Sequence, residues 1–414
     1  MVFYNNRQGL QVSDFFAIFL FLSSISAAFG IVFRSNQLPT NYISEMFLFA
    51  WVFVLFYTKR MQVSKRSLSI SILIYLCYLP ISVSFSFHND LYYSAKAMFY
   101  AIAGVLIYFC SDRAAKKSSE FDVILGFKAF QFGLFLTLII WLVNGDLVEN
   151  AMLLRHTSIA LSYNDAGFMA LMLIIVSTIM THGRRLNVLI AFLFFGVSLL
   201  VLIKGLNKSS IVFMFLFFAI YFFEFRLSIK SFFLIFLVIL ALILFLVIFS
   251  DALEPLFSQK SSVASLTTLT GRTFIWGLTL DSINTWSKLI FGHGYGSAEV
   301  FFRDYVFTEL NYAHAHNAVI QSLFEIGMLG SFFVHLIIFY NIKHSLYLVK
   351  LMGNKTVIPN IFLWLNLSLL FRGLTEPSYV QVGSFASYLI IMSFVFLRVC
   401  PFLVFGERVK SKMP

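Results

Sequence analysis

The chain consists of long, unbroken runs of apolar residues separated by short polar links. About 20 such residues in helical form cross the hydrocarbon core of a bilayer, where each backbone polar group must find its partner within the segment. The runs do not alternate with a period of two, so helices are expected and a β-barrel is not. Runs at 14–33, 43–58, 68–87, 92–110, 123–144, 164–181, 187–204, 209–224, 231–250, 317–341, 356–372 and 381–400 predict about twelve spans. Composition agrees. Of 414 residues, 60% are hydrophobic and only 12% are charged, against about a quarter charged in a soluble domain. A water-soluble enzyme of this size has nowhere to bury 53 phenylalanines. A disordered chain and a disulfide scaffold are excluded on the same grounds. The expected fold is all-α and polytopic. Spans occupy 1–250, a long outer segment with short amphipathic helices occupies 251–316, and further spans and a tail occupy 317–414.

The net charge of +11 would suggest nucleic acid in a soluble protein. Here it first suggests orientation. Alternate loops hold Lys59, Arg60, Lys65 and Arg66, then Arg113, Lys116 and Lys117, then Arg184 and Arg185. The series continues through Arg226 and Lys230, then Lys343, Lys350 and Lys355, and ends with Arg408, Lys410 and Lys412. The excess of Lys and Arg in short loops marks the cytoplasmic face, which places both termini there. These loops are too short to fold into a nucleotide-binding domain, and no phosphate-binding glycine fingerprint occurs. The three cysteines show no metal or redox spacing.

Cations on the opposite face carry more information. Arg155, Lys204, Lys208, Arg272 and Arg372 border apolar runs, where charge is costly unless paired or hydrated. Gathered at one boundary, such residues form a pocket for an anionic, lipid-borne substrate. Arginine suits phosphate oxygens because its planar fork donates two parallel hydrogen bonds. The plain alternative is that long side chains snorkel to the interface.

Three strings stand out in and after the long outer segment. In TLTGRTFIWGLTLDSINTW (268–286), apolar residues recur at helical spacing, which predicts an amphipathic interfacial helix anchored by Trp276 and Trp286. FGHGYGS (291–297) predicts a glycine turn. AHAHNAVIQSLFEIGMLG (313–330) opens the tenth span with His316 and Asn317 at its start. Histidine is suited to accept a proton near neutral pH. His314 and His316 could instead bind a metal, but the sequence shows no third ligand nearby, and no metal is expected. Gln321 and Glu325 are expected to hydrogen-bond between helices.

Together these strings resemble the bacterial O-antigen ligase and Wzy polysaccharide polymerase superfamily. The resemblance covers roughly 150–380 and rests on three pieces in order: Gly271, Arg272 and Trp276; then Gly292, Gly294 and Gly296; then His316, Asn317, nine residues and Gly327, with Gly330 after it. It implies a metal-independent, inverting glycosyl transfer at the periplasmic face of the bacterial inner membrane, without a cofactor. The donor would be a glycan linked through diphosphate to undecaprenol. His316 would activate the acceptor hydroxyl, Arg272 and Arg155 would hold the diphosphate, and Arg372 would add charge beside it. Lys208 stands where the family commonly has Arg, keeping the charge and losing the fork. Asn317, Trp276, His314 and Glu376 would support the site.

LTGRTFIW and the GLTEPS string at 373–378 are similar to the polymerase branch, whose acceptor is another lipid-linked repeat unit. A ligase would transfer to lipid A-core instead. A chain-length regulator and membrane lipids complete the expected partners, and nucleic acid is not among them. The rival from another class is a lipid-linked oligosaccharide flippase. Such a transporter would more naturally show two related halves and short loops on both faces.

Overall fold

An apolar run in an apolar surrounding has no partner for its backbone except itself, so helix follows from composition alone. A computed structural model describes residues 120–143, 163–205, 207–224, 272–298, 314–353, 356–377 and 389–398, with isolated positions between 18 and 108 and at 301–302. Every regular element among the described residues is helical. In chain order these are α1 (Glu120–Val143), α2 (Tyr163–His182), α3 (Val188–Gly205), α4 (Lys208–Glu224), α5 (Arg272–Asp281), α6 (Trp286–Phe291), α7 (Ala318–Met352) and α8 (Val357–Gly373). A final helix, α9, covers Leu389–Arg398. Among the described residues, four stretches are long and apolar enough to cross a membrane: Glu120–Val143, Asn164–His182, Val188–Gly205 and Ala318–Met352. The expected spans at 14–33, 43–58, 68–87, 92–110 and 231–250 lie outside the described residues, apart from isolated positions such as Tyr78 and Ser82.

The centre of the bundle is α2. Every residue from Ala166 to Ser177 is buried, as an all-apolar helix in the middle of a bundle should be. Gln131 of α1 donates to Ser177 of α2 at 2.8 Å. Phe217 of α4 packs edge-on against Trp364 of α8. Asn341 of α7 donates to Asn366 Oδ1 of α8 at 3.2 Å and to the Ile390 carbonyl of α9 at 3.0 Å. Such buried amides act as cross-links where apolar packing alone gives no preference between helices and lipid. In contrast, α3 turns Leu189, Phe192, Leu193 and Leu200 outward along one face, which suits lipid better than water.

Two features of α7 differ from the sequence expectation. The helix runs to Met352, well past the expected end at 341. Hydropathy stops at Lys343, but the burial rhythm continues through Asn341, Ser345, Leu348 and Val349 with Lys343, Leu346, Tyr347 and Lys350 outward. An amphipathic face sustains a helix beyond the bilayer as well as an apolar one does. The second feature is a break at Gly327, with φ 62° and ψ −174°, inside what is otherwise one continuous helix.

The glycine turn that follows α6 explains the break. A Cβ on Gly327 would lie 2.3 Å from the Ile290 carbonyl oxygen, and a Cβ on Gly292 would lie 2.5 Å from the Glu325 carbonyl oxygen. The two backbones touch where neither residue has a side chain. Gly292 (φ 79°) also has a positive φ that side chains disfavour. Breaking α7 frees carbonyls, and the neighbours take them up. The His293 N–H donates to the Phe324 carbonyl at 2.7 Å, and the Tyr78 hydroxyl lies 3.1 Å from the Ile326 carbonyl and 3.3 Å from that of Phe291. The first part of α7 thereby joins α5 and the residues that follow the glycine turn in a small separate core of Ile275, Ala298, Phe302, Ala315 and Phe324.

Candidate active site

The start of α2, the start of α4, the start of α7 and the end of α8 meet at one end of the bundle. At the opposite end, Arg184 and Arg185 follow the far end of α2 and Lys350 lies in the last turn of α7. Each functional side chain comes from a helix terminus. Arg272 is the first residue of α5, and one turn later the Trp276 indole donates to the Ala315 carbonyl at 2.8 Å. Trp276 is thus half-buried and holds the histidine loop, whereas Trp286, at 80% exposure, fits the interfacial anchor expected of both. Asn317 caps α7: its Oδ1 accepts from the N–H groups of Val319 and Ile320 at 2.9 and 3.1 Å, and its amide donates to the Leu374 carbonyl.

His316, just before the cap, has a φ of 52° without being glycine. Such a backbone costs free energy and persists where the surroundings over-determine it. Its N–H donates to Nδ1 of His314 at 3.3 Å, and the two rings meet edge-on with centroids 4.1 Å apart.

Glu376 is the hub. The turn after α8 places it: the Thr375 and Glu376 N–H groups both donate to the Arg372 carbonyl at 2.8 Å. Its carboxylate accepts from Asn164 Nδ2 at 2.7 Å, lies 3.4 Å from His316 Nδ1 and 3.5 Å from the Arg272 guanidinium, and faces His314 Nε2 at 3.8 Å. Burial alone would raise the Glu376 carboxyl. The hydrogen bond from His316 and the charges toward His314, His316 and Arg372 outweigh it and hold the group at about 2. Burial pushes His314 down to about 4, helped by His316 and Arg272 and opposed by Glu376 and Asp165. The carboxylate is therefore ionised and the His314 ring neutral at physiological pH.

Of the residues singled out from sequence, Arg272, His314, His316 and Glu376 converge, and Asn317 and Trp276 hold the loop between them. Arg372 stands beside the group, but its guanidinium is bound to Asp165 and lies 4.3 Å from the Phe168 ring centre. Lys208 begins α4 directly after Asn207, whose side chain donates to the Asn164 carbonyl at 2.9 Å. Gly167 permits that approach, since a Cβ there would meet Asn207 at 2.6 Å. Arg155 lies outside the described residues.

Sequence reasoning missed Asn164, Asp165 and Asn207; a polar pair opening an apolar run reads as a helix cap, and only the fold shows its second use. Gln321 and Glu325 were expected to hydrogen-bond between helices; they also bond to each other. Gln321 donates to Glu325 within α7 at 2.8 Å and accepts from the Ala315 N–H at 2.8 Å, bracing the loop. They stand one helical turn apart, where side chains on one face meet.

Glu376 also supplies the third metal-type ligand that the sequence did not reveal. The donor atoms of His314, His316 and Glu376 lie within 4.8 Å of one another. Two observations weigh against a resident cation. Arg272 already places a positive charge on the same carboxylate. His314 Nδ1 accepts a hydrogen bond, so its proton sits on Nε2, the atom that would have to bind the metal.

The described ends thus place two arginines, two histidines and one buried carboxylate at the mouth of an apolar bundle. Residues 205–334 match the family model Wzy_C, O-Antigen ligase. The Wzy_C region takes in α4, α5, α6, the glycine turn, both histidines and the break in α7; Asn164, Arg372 and Glu376 reach it from outside. No curated protein matches the chain. The Wzy_C match and the apolar helices together describe a multi-pass membrane enzyme of O-antigen ligation or polymerisation.

Proposed function

We propose that the chain transfers a glycan from an undecaprenyl-diphosphate donor to a sugar hydroxyl at the periplasmic face of the bacterial inner membrane, as a Wzy-type polymerase of a surface polysaccharide. The observation that supports this most is the convergence of Arg272, His316 and Glu376, from three distant parts of the chain, at one end of a membrane bundle. His316 presents Nδ1 to Glu376, which leaves Nε2 as the nitrogen that takes the acceptor's proton. The acceptor oxygen then bonds to the sugar's anomeric carbon from the face opposite the phosphate. The bond from that carbon to the phosphate oxygen breaks, and its electron pair leaves on the diphosphate, whose charge Arg272 neutralises. Inversion follows from this single displacement, and no step uses a metal. Arg155 and Lys208 complete the anion site in this reading, with Arg372 holding its wall through Asp165.

The description of the matched family supports ligation to lipid A-core as the second reading. Both readings use the same residues. Deletion of the gene followed by a gel of surface glycans separates them. Lipid A-core bearing one repeat unit indicates a polymerase; bare core with unattached long polymer indicates a ligase. Unchanged glycans overturn both.

A further inference from the structure

The site holds two arginine–carboxylate pairs of different kinds. Arg372 is locked: it is buried, bound closely to Asp165, and stacked on Phe168. Arg272 is loosely held: its guanidinium stands 3.5 Å from Glu376, and its side chain is 21% exposed. The loose pair is the one an incoming anion can open. Yet its carboxylate also faces His316 and is fixed from behind by Asn164, which Asn207 holds in turn. A buried carboxylate beside an anion site repels the anion, so its presence there requires another use.

We propose that Glu376 is a positioning residue with two opposed effects: it orients and supports His316 as base, and it occupies Arg272 in the empty site, so that an anion must displace it. This rests on the proposed transfer reaction and adds a basis for selectivity to it. A monoanion gains little by exchanging with a carboxylate of the same charge. A diphosphate carries more charge and more oxygens for the guanidinium fork, and it wins the exchange. When the arginine leaves, the carboxylate keeps the contact with His316, and the imidazolium formed by proton uptake has its counter-charge in place.

Inorganic pyrophosphate and inorganic phosphate, titrated calorimetrically into the full-length protein in detergent, provide the test. Glu376→Gln keeps shape and the Asn164 contact while removing charge. It is expected to bind pyrophosphate about tenfold more tightly, the equivalent of ~1.4 kcal/mol, and to narrow the preference over phosphate. In transfer assays the same variant is expected to lower kcat by tenfold or more while KM for the donor falls. Glu376→Asp, which keeps the charge but withdraws the one oxygen that faces both His316 and Arg272, should bind pyrophosphate between wild type and Glu376→Gln and still lose kcat. Unchanged or weaker pyrophosphate binding by Glu376→Gln overturns the proposal. Because binding is read without glycan transfer, that result leaves the proposed reaction standing. Tighter binding in a protein that makes no glycan would refute the reaction and keep the exchange.

Discussion

At the end of the bundle marked by Arg184 and Lys350, Arg185 pairs with Glu120 at 2.7 Å, with side chains 47% and 36% exposed. At the other end Arg272 stands 3.5 Å from Glu376, with side chains 21% and 10% exposed. The shorter pair is the weaker influence. Water screens both of its partners, and such pairs contribute about 0–1 kcal/mol. The longer pair sits in a half-dry pocket whose carboxylate has several donors to satisfy. Charge at the first end fastens two helix termini; charge at the second end is arranged around an exchangeable contact. Distance alone would rank the two ends the wrong way round.

The difference can be broken by substitution. His316→Ala should lower glycan transfer by about 10²–10⁴-fold, the usual worth of a general base, with normal amounts of protein in the membrane. Full activity in membranes supplied with lipid-linked donor would remove the proposed base. Arg272→Lys keeps charge but loses the fork and should lower transfer by roughly 10–100-fold, from the worth of one charged hydrogen bond. The matching Arg185→Lys at the far end should leave transfer unchanged; equal losses from both would erase the contrast.

Glycines offer the same comparison for stability. Gly353 and Gly327 both have positive φ, but a Cβ meets nothing within 4 Å at Gly353 and backbone at 2.3 Å at Gly327. Gly353→Ala should cost ~1–3 kcal/mol, the usual range for local backbone strain. Gly327→Ala should cost clearly more in thermal unfolding and separate the glycine turn from α7.

A smaller effect concerns pH. His314 and His293 are each held at about 4 in the folded chain, His293 by burial and Lys288 against the Ser282 carbonyl. The unfolded chain takes up protons below about 6.5 that these rings refuse, so stability should fall as pH drops from about 6.5 toward 4. His314→Gln should flatten that slope in melting curves; an unchanged slope would count against a neutral His314. The least change is expected from Glu120→Gln, which should shift stability by less than ~1 kcal/mol.

Much of the described helical layout was legible in the sequence. The edges of α2, α3, α4 and α8 fall within a residue or two of the apolar runs, because an apolar run next to a charge leaves the helix no other place to stop. The length of α7 was not legible, since its last turns are sustained by a buried stripe rather than by hydropathy. Arg272, His314, His316 and Glu376 were each named through family resemblance, Arg272 and His316 in the reaction and the other two only in support, and the sequence did not show that the carboxylate stands at their centre. A glutamate after a helix end gives no local sign that four donors will face it. The contact between Gly292 and Gly327 was hidden for the same reason. Each glycine reads as a turn or a tolerated gap, and only their meeting shows why both lack a side chain.

The break at Gly327 also determines how the site relates to the bilayer. An unbroken α7 would swing His316 through several ångströms whenever the span tilted to match a thicker or thinner membrane, because tilt is amplified along a rod. Fastened instead to α5 and the glycine turn through the Trp276–Ala315 and His293–Phe324 hydrogen bonds, the histidine travels with Arg272. Transfer rates measured in short- and long-chain lipid bilayers should therefore differ little.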